Sequence, residues 1–187
     1  MNVAEGWENA AGWPGQLYQR LLERRIVMAR GKLDDETATV LCAQLLTLDA
    51  EGEDPIRVEI QGLDAELQAA LTVMGVLDVL RVPVHAYCAG RVSGPALGVL
   101  ASCARRYAYP NAVLVLTEPA LAFNGTTSQV ASHEEQVRTM VDSLYFRLAD
   151  VTGREVDEIR DDARAGRFLT VADAISYGLV EAQAEPR

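Results

Sequence analysis

A layered α/β fold is predicted by three observations. Strand-like and helix-like runs alternate along the chain. Apolar residues make up 49% of 187 residues, enough for one substantial core in a chain of single-domain size. Residues 90–104 (GRVSGPALGVLASCA) form a glycine-punctuated turn feeding a helix of small residues, the composition that close backbone approach demands.

Taken in order, residues 1–16 carry Gly6, Gly12, Pro14 and Gly15 and read as a flexible N-terminal arm, leaving 17–187 as one domain. Asp34 caps a helix running to about Ala50, with Ala38, Leu41, Cys42, Leu45 and Leu48 as its apolar stripe. Residues 51–55 form a turn. Ile56, Val58 and Ile60 alternate with Arg57 and Glu59, the mark of a strand with one buried face. Leu67, Ala70, Leu71, Met74 and Leu77 define a second amphipathic helix. Pro83 precedes a strand through Val84, Ala86 and Cys88, and residues 113–116 form another buried strand. Asn124-Gly125 signals a turn before a long helix over 126–150 with one solvated face. Thr152 and Glu155 have capping-box spacing and predict a short helix through Ile159. Thr170 and Asp173 repeat that spacing, and Tyr177-Gly178 stops the helix they start.

Charge and composition exclude several function classes. The net charge of −10, from 17 basic and 27 acidic side chains, offers no footprint for nucleic acid or an anionic membrane. No apolar run reaches the ~20 residues of a membrane span, and residues 1–15 lack the basic and apolar regions of a secretory signal. The expected compartment is the cytoplasm, with Cys42, Cys88 and Cys103 as reduced thiols. Their wide spacing, with only two histidines in the chain, predicts no metal site, and nothing predicts a cofactor.

Four stretches carry a family resemblance: residues 18–25 (YQRLLERR), 107–119 (YAYPNAVLVLTEP), 125–137 including His133, and 167–181 (RFLTVADAISYGLVE). From Tyr18 onward the chain resembles the proteolytic subunit of the Clp protease, most specifically over 60–90 and 110–181. The resemblance implies a crotonase-like stack of βαβ units with a protruding handle helix, its first helix over 18–25. It also implies heptameric rings that stack into a chamber, with an ATPase ring docked on each end.

The catalytic positions implied by the resemblance do not hold catalytic residues. Peptide hydrolysis by this route needs a hydroxyl nucleophile, a base and a group that orients the base. The nucleophile position is Gly94, the base position Thr117 and the orienting position Gly166. A threonine accepts no proton near neutral pH. Ser93 lies one residue before Gly94, and a two-residue deletion between Gly90 and Tyr107 leaves it as a candidate nucleophile or as a small turn serine. His85 and His133 fall at non-catalytic positions, and Asp161 and Asp162 lie on the preceding helix. The family's oxyanion loop, whose paired glycines aim an N–H at the substrate, corresponds to residues 61–65, with Asp64 and Ala65 in place of those glycines. Such a donor is worth about 3 kcal/mol when tested by removal.

Three readings follow. One is a non-catalytic ring subunit, homo-oligomeric or mixed with an active Clp paralogue, meeting a Clp ATPase only through the mixed assembly. Arg167 and Glu118 are then the ring-to-ring contact, and Arg57 and Glu59, on the outward side of a strand, replace the apolar cleft that holds the ATPase loop. The second is an active serine endopeptidase using Ser93. The third is a crotonase-like acyl-CoA-binding protein, from the spacing of Gly90, Gly94, Cys103 and Arg106.

Overall fold

A computed structural model describes residues 15–120 and 127–185, with the backbone alone for 127–134. The helices are α1 (Gly15–Leu22), α2 (Asp35–Glu51), α3 (Leu67–Val79), α4 (Ala96–Ala101), α5 (Thr127–Thr152), α6 (Val156–Ala165) and α7 (Val171–Tyr177). The strands are β1 (Ile26–Leu33), β2 (Ile56–Ala65), β3 (Val84–Ala89), β4 (Arg91–Ser93), β5 (Arg105–Ala108), β6 (Val113–Val115), β7 (Phe168–Leu169) and β8 (Ala182–Gln183). This alternation is a mixed α/β architecture, as the sequence predicts.

The eight strands form one sheet, parallel throughout except for β6 against β7. β2 is its centre, with β1 on one side and β3, then β4, on the other. β3 continues into a wing with β5 and β8, whereas β4 continues into a wing with β6 and β7. The division falls at Gly90, where a Cβ would stand 3.6 Å from the backbone nitrogen of Gly62. Both glycines have positive φ, at 65° and 54°, so the two strands bend side by side and the sheet splits there.

Helices α2, α3, α4 and α5 pack against one another in sequence, with α2 resting on β1 and β2 and α4 on β2 and β4. α4 is buried at all six residues. Gly98 lets it sink between its neighbours, since a Cβ there would stand 2.5 Å from Leu144 and 2.7 Å from Met74. The stripe expected on α2 is buried as a unit, together with Gln44. Its capping box is reciprocal: Thr37 N–H donates to Asp34, and Asp34 N–H donates to the Thr37 hydroxyl. These bonds hold the Asp34 carboxyl below its ordinary range. The box at Thr170 and Asp173 also forms.

Several expectations are corrected. The first helix lies at Gly15–Leu22, not 18–25; Gly15 and Gln16 belong to it, and residues 1–14 lie outside the described residues. Arg25, with φ 56°, ends that segment and donates to the carbonyls of Leu48 and Asp54. Thr152 does not cap α6. It is the last residue of α5, and its hydroxyl bonds back to the Leu148 carbonyl at 2.7 Å. Glu155 is the residue before α6 but makes no side-chain cap, and α6 continues past Ile159 to Ala165. Residues 61–65 are not a loop but the second half of β2. The turn at Asn124-Gly125 lies outside the described residues.

Candidate active site

The turn between β4 and α4 brings Ser93 and Gly94 to the sheet. Gly94 has φ 56°. Its N–H donates to the Val115 carbonyl at 3.1 Å, and its carbonyl accepts from Leu97 N–H at 3.0 Å, fastening the turn to β6 on one side and α4 on the other. A Cβ on Gly94 would stand 3.0 Å from the Thr117 hydroxyl oxygen. Thr117 follows β6, which runs antiparallel to β7 with Leu114 opposite Leu169 and Val115 opposite Phe168. Leu116 N–H donates to the Arg167 carbonyl at 2.9 Å, which extends the pairing of the two strands to the residue after Gly166. Two distant stretches of sequence therefore touch at Gly94 and Thr117, and Gly166 ends the helix that precedes the strand paired with β6.

The side chains at that point do not form a proton-transfer chain. Gly94 and Gly166 have none to offer, and Thr117 brings a hydroxyl. Gly166 is the left-handed cap of α6, with φ 70° and open space where a Cβ would stand. The nearby carboxylates are engaged elsewhere. Asp162 accepts from Arg167 Nη1 at 2.9 Å and from the Tyr177 hydroxyl at 2.6 Å, while Asp161 accepts from Arg164 at 2.9 Å. Burial and the bond to Asp162 push the Tyr177 hydroxyl well above its ordinary range.

Ser93 is 9% exposed and lies on β4 opposite Asp64. His85 is opposite Arg57 on the same central strand. Seven residues of β2 separate those two registers, about 23 Å at the rise of an extended strand, so His85 does not reach Ser93. His133 lies in α5, and its side chain is outside the description.

The N–H that follows the nucleophile position is constrained in either register. If position 94 held the nucleophile, the next residue is Pro95, which has no N–H. If Ser93 served, the next N–H is that of Gly94, already given to Val115. Asp64 and Ala65 lie within β2, paired in register with Lys32 and Leu33 of β1, so this segment does not turn freely toward the site. The Pro95 contribution was legible as a residue without an amide hydrogen, but only the fold shows the Gly94 donor to be spent.

Arg167 and Glu118 flank the site without touching each other. Arg167 is held by Asp162, with its guanidinium 5.1 Å from the Tyr177 ring centre. Glu118 is exposed, with Arg164 at 4.0 Å. Burial pushes the Tyr145 hydroxyl up, with the charge of Glu118 adding to that effect.

On the sheet's outer face the expected alternation at Arg57 and Glu59 holds in register but not in exposure, since Glu59 is only 8% exposed. Arg57 Nε donates to Glu59 at 2.6 Å, and Arg57 Nη2 donates to the Tyr109 hydroxyl at 2.7 Å. That hydroxyl donates to Glu59 in turn, at 3.1 Å. The Arg57 guanidinium lies 3.7 Å over the Tyr87 ring, which stacks on Tyr107 at 4.9 Å. The aromatic surface is thus capped from within.

Among the described residues no three potential metal ligands cluster, and no helix is long and apolar enough to cross a membrane. The family model described as Clp protease matches residues 12–186. With that match spanning nearly the whole sequence and an eight-stranded α/β sheet of the corresponding kind, the chain belongs to the Clp protease family.

Proposed function

We propose that this chain is a Clp-protease-like ring subunit without peptidase chemistry, a structural or regulatory partner in a proteolytic chamber. The observation that carries this reading is the contact of Gly94 with Thr117, with Pro95 next in the chain and Gly166 just before the strand that pairs with β6. The backbone geometry of a site is kept while nucleophile, base, orienting carboxylate and one oxyanion donor are all absent from it. Rings are homomeric or mixed with an active paralogue, and a Clp ATPase is met through the mixed assembly.

The test uses the purified protein with a fluorophosphonate probe and short fluorogenic peptides. The expected result is no covalent labelling and no hydrolysis. Labelling at Ser93 that disappears in Ser93→Ala would overturn the proposal in favour of an active serine peptidase.

A further inference from the structure

A hollow of about 450 Å³ opens between α1, β1 and α2, and neither Gly94 nor Thr117 lines it. Met28 of β1, Leu41 of α2 and Leu63 of β2 give it apolar walls, and Val40, 38% exposed, stands at its edge. Gln44 also lines it, one helical turn beyond Val40 on the same side of α2. This residue is 5% exposed, and its side chain forms no hydrogen bond among the described residues. A primary amide carries two N–H donors and a carbonyl acceptor. Buried groups of that kind are nearly always paired, because leaving them unpaired is costly. The charged residues of the lining balance one another, Arg30 and Lys32 against Asp34 and Glu36. Lys32 is held by Glu66 at 2.6 Å, and the Asp34 carboxylate accepts from both the N–H and the hydroxyl of Thr37. The hollow therefore presents no net charge to a ligand.

We propose that this hollow binds a small neutral molecule, an apolar body that ends in a primary carboxamide. Its size and its lining, mostly apolar with one placed polar group, are those of a small-molecule site. A ligand carboxamide answers both sides of Gln44 at once: its N–H donates to Gln44 Oε1, and its carbonyl accepts from Gln44 Nε2. The apolar body then rests on Met28, Leu41 and Leu63. A carboxylate would accept from Nε2 but leave Oε1 unpaired. An ammonium would do the reverse. Either ion would also lose water for a wall that supplies no uncommitted counter-charge. This assignment does not rest on the ring reading or on the loss of peptidase chemistry.

The test is calorimetric titration of the purified full chain with octanamide, octanoate and octylamine, which share one aliphatic body and differ in the head group. Octanamide should bind, and about tenfold more tightly than either ion. Gln44→Leu keeps the side chain's bulk and removes both hydrogen bonds, so octanamide affinity should fall about tenfold. Val40→Trp, at an exposed position on the edge, narrows the hollow without touching the amide and should weaken octanamide as well. Circular dichroism confirms that each variant folds. If Gln44→Leu does not fold, Val40→Trp and the ranking of the three probes carry the test. Failure of octanamide to bind, equal affinity for all three probes, or unchanged affinity in either folded variant overturns the proposal. None of these outcomes bears on the fluorophosphonate test, so the two readings fail separately.

Discussion

Pro95 separates two explanations of the inactivity proposed above that otherwise look alike. If only side chains were lost, restoring them would restore chemistry. Gly166 has open space for a Cβ, and its left-handed conformation is one that aspartate tolerates. The Cβ of a serine at 94 would press against Thr117, the residue to be exchanged. The triple variant Gly94→Ser, Thr117→His, Gly166→Asp therefore restores the side chains, with serine at 94 taking on the left-handed backbone there, φ 56°. It still lacks an N–H at 95, and one such donor is worth about 10²–10³ in kcat. The expected outcome is hydrolysis of a fluorogenic peptide that rises by about that factor when Pro95→Ala is added. Equal rates with and without Pro95→Ala would show that this proline is not limiting. At this scale the sequence was readable because absence is visible in it: a glycine has no side chain and a proline has no N–H wherever they fold. The commitment of the Gly94 N–H to Val115 was not readable, since it depends on how β4 meets β6.

Elements were legible where periodicity was regular and illegible where it broke. α2 and the first half of β2 follow their apolar patterns closely. β1 did not stand out because Arg30, Gly31 and Lys32 interrupt its apolar run, and the ladder shifts register between Arg30 and Gly31. β5 reads RRYA and hides its strand behind two arginines. Arg57 and Glu59 show the limit of alternation, which gives a side chain's direction but not what lies above it. Here three tyrosines from β3 and the β5 region partly cover the pair, and Arg57 caps Tyr87. Removing one member of such a pair leaves a poorly solvated charge and costs about 3 kcal/mol, whereas replacing both with apolar residues is often near neutral. Arg57→Met and Glu59→Leu should each lower the urea midpoint strongly, and the double variant should recover most of the loss. Strictly additive losses would show that the two side chains act independently. The same capping disfavours an apolar docking peptide, since entry would displace Arg57 from Tyr87 and strand Glu59 without its cation.

At the scale of the whole molecule, the split sheet brings Gly94 against Thr117 and leaves Glu118, Arg164 and Arg167 at the surface near them, which composition alone did not reveal. The core also responds to alkali as a unit. Burial pushes the thiols of Cys88 and Cys103 up to about 12. Because unfolding would let them ionise near pH 9, the native state holds more protons between pH 9 and 12. Stability is full below that window and falls through it by about 1.4 kcal/mol per pH unit for each thiol. Cys88→Ala with Cys103→Ala should flatten the alkaline limb of a denaturation curve, and an unchanged slope would show that other groups govern it. The ring stacking proposed for this chain would draw on charges of the opposite kind, exposed and cheap to move. If Arg167 bridges facing rings, it competes with Asp162 of its own subunit, which already holds it at 2.9 Å through Nη1. Arginine carries five donors in a fork, so it can keep that bond while offering Nε or Nη2 to an acidic partner such as Glu118 across the contact. One exposed pair contributes about 0–1 kcal/mol, but a ring repeats it at every subunit, and the sum becomes decisive for stacking. Arg167→Ala should therefore shift double rings toward single rings in sedimentation velocity, and rising salt should shift the wild type the same way. Asp162→Asn serves as the control, since it loosens Arg167 from its own subunit without removing the guanidinium and should leave stacking in place. Double rings that persist in Arg167→Ala at the lowest measurable concentration would remove Arg167 from the contact and send the search to Glu118 and Arg164 instead.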